Sequence, residues 1–214
     1  MNQNPMNQSI PFTLLRQVCA SGVAMLVASG CLMAQSDSVA PAPEGGAAAD
    51  VFLARNGQAE AVIVIGKASS ASDRFVAEEL QRYLQELSQA ELRIVTDDQI
   101  PAGHPLIVLG GPQVNRLSAQ AEKDQLVKFS GLKPDGFVLK TVELDGQPAV
   151  VAGGNDETGT IYAAYELLEQ LGIVFQLSGD IIPAQKPDLA LPALDLRMEP
   201  IAKYRGIAAM PHDT

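Results

Sequence analysis

The chain has 214 residues, enough for one domain of ordinary size with a genuine core. Apolar residues make up 47% and charged ones 19%, a balance that excludes wholesale disorder. A formal net charge of −10, with no run of Lys and Arg, repels polyphosphate backbones and argues against nucleic acid as a partner.

Residues 1–16 hold no acidic side chain and one basic one, Arg16. The apolar run VCASGVAMLVASGC follows, too short for a hydrocarbon core of about 30 Å. A positive start, an apolar middle and a small-residue exit are the pattern of a signal peptide, expected over residues 1–34. Its exit has two readings. VASGC, residues 27–31, resembles a bacterial lipoprotein box in which Cys31 would carry the lipid. LMA, ending at Ala34, would instead serve ordinary signal-peptidase cleavage. Either way the expected address is periplasmic, outer-membrane or extracellular, with membrane contact only through an N-terminal lipid. Residues 35–50, QSDSVAPAPEGGAAAD, lack helical or strand period and predict a flexible linker.

The folded part is expected over 51–182. AEAVIVIGK (59–67) predicts a strand ending in glycine. Ser70 or Ser72 can cap a helix in which Val76, Leu80, Tyr83, Leu84 and Leu87 form one apolar stripe. Glu78 and Arg82 are spaced as an i,i+4 pair on its wet side. ELRIVTDD and HPLIVLGGP predict two more strands, and 113–128 a weak helix. DGFVLKTVELDGQPAVVAGG predicts a hairpin turning at Asp145-Gly146, a dipeptide suited to positive φ. Next comes a helix with Ile161, Ala164, Tyr165, Leu168 and Leu171 on one stripe and Gly172 to end it. IVFQL predicts a last strand. Beyond Gly179, Pro183, Pro187, Pro192 and Pro200 predict an extended connector, assigned to 183–214. The whole reads as an α/β (α+β) two-layer sandwich, a mixed sheet of about six strands with two main helices on one face.

The stretch GGNDETGT (153–160) joins a strand to a helix, as phosphate-binding loops do. Gly154 and Gly159 have Walker separation, but Thr160 stands where the loop needs Lys. Asp156 and Glu157 also put negative charge at the helix end that would attract an anion. Paired carboxylates suit glycoside hydrolysis. Three pairs, Glu78/Glu79, Asp97/Asp98 and Asp156/Glu157, are each explained by a helix surface, a turn or a cap. Cys19 and Cys31 are the two cysteines, and His104 and His212 the two histidines, His104 expected in a solvated turn. No metal, cofactor or catalytic residue is therefore expected in the folded part.

The segments AVIVIGKASSASDRFVAEELQRYLQELSQAELRIV, PLIVLGG, DGFVLKT, AVVAGGNDETGTIYAAYELLEQLGI and DIIP together resemble the N-terminal, non-catalytic domain of family 67 α-glucuronidases. Family 20 β-N-acetylhexosaminidases carry a similar domain. The resemblance implies a buttress packed against a (β/α)₈ barrel that holds the catalytic acids. KYRGIAAM looks like the first strand of such a barrel, where Arg205 would hold sugar hydroxyls. A barrel takes roughly 250 residues, so the resemblance implies that this chain lacks it. Two other readings stand beside this one, a stand-alone surface module binding carbohydrate or protein, and a nucleotide- or sugar-phosphate-binding domain.

Overall fold

The computed structural model describes residues 50–202. Nine strands and three helices are present among them. In chain order they are β1 (Val51–Arg55), β2 (Gln58–Ala59), β3 (Val62–Ile65), α1 (Ala71–Ser88), β4 (Ile94–Thr96), β5 (Leu106–Leu109) and α2 (Arg116–Lys123). Then come β6 (Phe137–Leu144), β7 (Gln147–Gly154), α3 (Glu157–Gln170), β8 (Leu189–Leu191) and β9 (Asp195–Met198). Six strands form a mixed sheet in the order β4-β3-β5-β7-β6-β9. β4, β3, β5 and β7 run parallel, while β6 is antiparallel to both β7 and β9. A small antiparallel sheet, β2-β1-β8, shares the core of the helical face.

Strand period 2 explains why the central strands are apolar throughout. Ile63, Ile107, Val150 and Leu139 point to the face covered by α1 and α3. Val64, Val108, Val151 and Val138 point the other way, onto Leu117 and Ala121 of α2 and onto Val127 and Phe129 of the following loop. The two long helices thus share one face as expected, and α2 with its loop adds a partial third layer on the other.

Local chemistry sets the element ends. Ser70 caps α1 in a reciprocal box, its hydroxyl accepting from the Asp73 N–H and the Asp73 carboxylate from the Ser70 N–H. Asp145 and Gly146, at φ 50° and 76°, close β6 onto β7 in the expected two-residue turn. α3 ends in a Schellman motif. Gly172, at φ 98°, donates to the Glu169 carbonyl, and Ile173 donates to that of Leu168.

Four local expectations are corrected. IVFQL is not a strand, since only Val174 pairs, through an isolated bridge to Ile181. Phe175 instead packs edge-to-face between Tyr83 and Tyr165, at 5.5 and 4.8 Å between ring centroids. The sixth strand of the sheet is β9, so Leu189–Leu191 and Asp195–Met198 of the predicted connector are paired strands. Glu78 does not meet Arg82, which pairs with Glu79 and Glu86 at 2.9 Å each. The buried stripe of α3 is centred on Ala163, Ala164, Leu167 and Leu168, leaving Ile161 and Tyr165 half-buried.

Candidate functional site

Open α/β sheets bind ligands outside the carboxyl ends of their strands, where successive connections leave in opposite directions. Here that point lies between β3 and β5. α1 follows β3 on one face, and α2 follows β5 on the other. The glycines that end β3, β5 and β7 meet at this end. An added Cβ on Gly66 would lie 1.7 Å from the Val114 carbonyl oxygen, and one on Gly111 would lie 1.9 Å from that of Gly154. On Gly153 it would lie 2.5 Å from the Gly110 carbonyl, and on Gly159 2.4 Å from that of Gly136. The glycines let backbone touch backbone, so the chain itself narrows the crevice.

Asn115 locks this packing. Wholly buried at the N-cap of α2, its Nδ2 donates to the carbonyls of Val64 and Leu109, and its Oδ1 accepts from Leu117 N–H, each at 3.0 Å. One side chain therefore ties the ends of β3 and β5 to the start of α2. Asp97, also buried, accepts from the backbone N–H of Lys67 and Arg116 on either side.

The start of α3 is committed in the same way. Asp156 Oδ1 accepts from Gly159 N–H at 2.7 Å, and Oδ2 from Asp135 N–H at 2.8 Å. Both carboxylate oxygens are used, and the helix end already carries its anion. What remains open is a groove of about 290 Å³ bordered by Ser70, Asp73, Gln113, Asn155, Asp156 and Glu157. Its charged side chains are acidic; Asp156 caps α3, and Asp73 completes the capping box of α1.

The other carboxylates have structural partners. Glu79 grips Arg82, raising the guanidinium's already high pKa. The Thr96 hydroxyl, then the Lys67 ammonium at 2.9 Å, hold the exposed Asp98 carboxyl below its ordinary range. His104 is half-buried rather than solvated, its Nδ1 donating to the Glu60 carbonyl at 2.8 Å. Burial raises the pKa of Tyr83 first, and the hydrogen bond of its hydroxyl to Asp180 adds to this. Among the described residues no three His, Cys, Asp or Glu side chains gather as metal ligands would. Arg205, Cys31 and His212 lie outside the described residues.

Sequence reasoning missed Asn115, although an Asn just before an Arg-Leu helical start is an N-cap signal. It also missed the Asn56-Gly57 turn between β1 and β2, which the dipeptide announces.

The family model for the N-terminus of glycosyl hydrolase family 67 matches residues 52–167, more than half of the chain. No curated protein matches. Among solved structures, a family GH115 4-O-methyl-α-glucuronidase with specificity for decorated arabinogalactans is similar at 25% identity and a TM-score of 0.55. That match covers 72% of this chain, which spans only 19% of the glucuronidase. CpGH84D matches at 10% identity and a TM-score of 0.38, over 66% of this chain and 21% of that one. The chain belongs to the glycosyl hydrolase family 67 N-terminus family, the N-terminal domain of glycoside hydrolases.

Proposed function

We propose that this chain supplies the non-catalytic accessory domain of an exported glycoside hydrolase of the α-glucuronidase or hexosaminidase kind, acting in carbohydrate breakdown. The observation that carries the reading is the narrowed crevice, whose remaining groove is bordered by acidic side chains. The place where an open α/β sheet would bind a ligand is packed backbone against backbone and pinned by Asn115. Chemistry then belongs to a catalytic barrel following this domain, with KYRGIAAM as its first strand and Arg205 contacting sugar there. Residues 1–34 direct export, with Cys31 the lipid attachment point if the lipoprotein box is used.

The surface where β9 ends suits contact with a following barrel. Met198 is half-exposed and Ile201 fully exposed. With Phe137, Tyr162, Pro134 and Pro200 they border two adjoining hollows of about 180 and 360 Å³. Contiguous apolar surface of this kind usually marks an interaction site.

Two measurements test the reading. The purified chain should release no uronic acid or N-acetylhexosamine from glucuronoxylan, arabinogalactan or chito-oligosaccharides. Antibody raised against it should detect, in the native cell, a protein far larger than 214 residues. Turnover by the chain itself, or a native product of only this size, would overturn the proposal.

A further inference from the structure

We propose that Asn56 is a deamidation site held closed by the segment preceding β8. Asn56-Gly57 is the only Asn-Gly pair in the sequence. It forms the two-residue turn of the β1–β2 hairpin, with Asn56 exposed and φ of 50° and 71°. Deamidation begins when the Gly57 backbone nitrogen, losing its proton to base, attacks Cγ of the Asn56 side chain. The N–Cγ bond forms, the Cγ–Nδ2 bond breaks, and the amide leaves as ammonia. Water then opens the succinimide at either carbonyl, giving aspartate or isoaspartate. Glycine favours the step because no side chain blocks the nitrogen.

In the folded chain that nitrogen is occupied. Gly57 N–H donates to the Pro187 carbonyl at 3.0 Å, and Asn56 N–H donates to Asp188 Oδ1 at 2.7 Å. Both partners precede β8, which pairs with β1 through Val51↔Leu191 and Phe52↔Ala190. Attack therefore requires the turn to leave residues 187–188. The coupling runs both ways. Isoaspartate would add a backbone carbon to a turn with room for two residues, and aspartate would set a second carboxylate beside Asp188. Either product loosens the clamp that had prevented it.

The test follows Asn56 by peptide mapping and isoaspartate methylation during incubation of the full chain at mildly alkaline pH, against the same chain in urea. Asn56 should convert at least about tenfold more slowly in the folded chain, as expected for a reaction that must first break the Gly57 N–H bond to Pro187, which the neighbouring charge-assisted bond from Asn56 N–H to Asp188 holds in place. Asp188→Ala should recover part of that factor, since the Gly57 bond to the Pro187 carbonyl then lacks its neighbour, whereas Asp188→Asn, which keeps an acceptor, should not. Slow amide exchange at Gly57 in the unaltered chain is a readout that needs no variant. Equal rates folded and in urea, fast Gly57 exchange, or an Asp188→Ala chain that keeps its far-UV spectrum and its slow conversion would each overturn the proposal.

Discussion

Replacing Asn115 by Ala should be among the most destabilising single polar changes in this domain. The side chain is wholly buried and makes three hydrogen bonds at 3.0 Å, two to strand-end carbonyls and one from the Leu117 N–H. A hydrogen bond contributes about 1 kcal/mol net, and more where its loss leaves a buried partner unpaired. Loss of an N-cap alone costs about 1 kcal/mol. Three such losses give about 3–4 kcal/mol, a large fraction of the roughly 5–15 kcal/mol that holds a domain folded. Urea unfolding followed by far-UV circular dichroism measures this directly, since the chain has no Trp. Asn115→Asp separates capping from pinning. It keeps the acceptor for Leu117 but turns a negative oxygen toward two carbonyls, so at neutral pH it should lose at least as much as Ala. Acidification should restore part of the loss, because the protonated carboxyl can donate again. A loss below about 1 kcal/mol for Asn115→Ala, or near-native stability for Asn115→Asp at neutral pH, would refute the pin as the lock of the crevice.

Gly111→Ala should cost more than about 3 kcal/mol or abolish folding, because its Cβ would enter the Gly154 carbonyl at 1.9 Å. Gly103→Ala, with open space around it but φ of 81°, should cost only about 1 kcal/mol by the same urea titration. Glu79→Ala should lose up to about 1 kcal/mol and Glu78→Ala nothing measurable, since Arg82 pairs with Glu79 and not Glu78. In a spectrophotometric titration, Tyr83 and Tyr165 should ionise above the ordinary tyrosine range. Burial raises both above the ordinary value of 10.0, so the stabilisation tied to their neutral form is complete below that value. It is lost as pH rises through their folded-state values, and Tyr83→Phe should remove the Tyr83 part of that alkaline dependence.

What could be read along the chain was what short-range chemistry decides. The apolar runs of β3, β5 and β7, the α1 stripe, the Ser70 cap and the Asp145-Gly146 turn each follow from residues a few positions apart. β8 and β9 were not legible, because their partners are remote, whereas the β1–β2 hairpin was legible in Asn56-Gly57 and was missed. Val51 pairs with Leu191, and Phe137 with Met198. Prolines at 192 and 200 argued for a connector, yet they flank β8 and β9 rather than occupy them. IVFQL has strand composition, but only Val174 pairs, with Ile181, and Ile173 and Phe175 are taken up by the Schellman motif and the aromatic cluster. Glu78 and Arg82 fit the i,i+4 rule, but Glu79 and Glu86 compete for the same guanidinium and take it.

The glycines at the strand ends could not be interpreted from spacing, because two opposite arrangements need them. A phosphate loop uses glycine so that backbone N–H groups can face a ligand. An interlocked end uses it so that carbonyls from neighbouring turns can fit where a Cβ would stand. The two differ in where the N–H groups go. Here Gly110 donates to the Ala152 carbonyl, Gly154 to the Thr160 hydroxyl and Gly159 to the Asp156 carboxylate. These three donors are spent within the chain. Exposed apolar surface lies at Met198 and Ile201 and on the bridged loop carrying Val174, Leu177 and Ile181. Tyr83 and Asp180 tie that loop to α1, and Leu177 on the same loop is 96% exposed. Ordering a loop costs conformational entropy, and here the ordering displays apolar surface to solvent. An arrangement of that kind supports contact with another folded body better than it supports chemistry within this one.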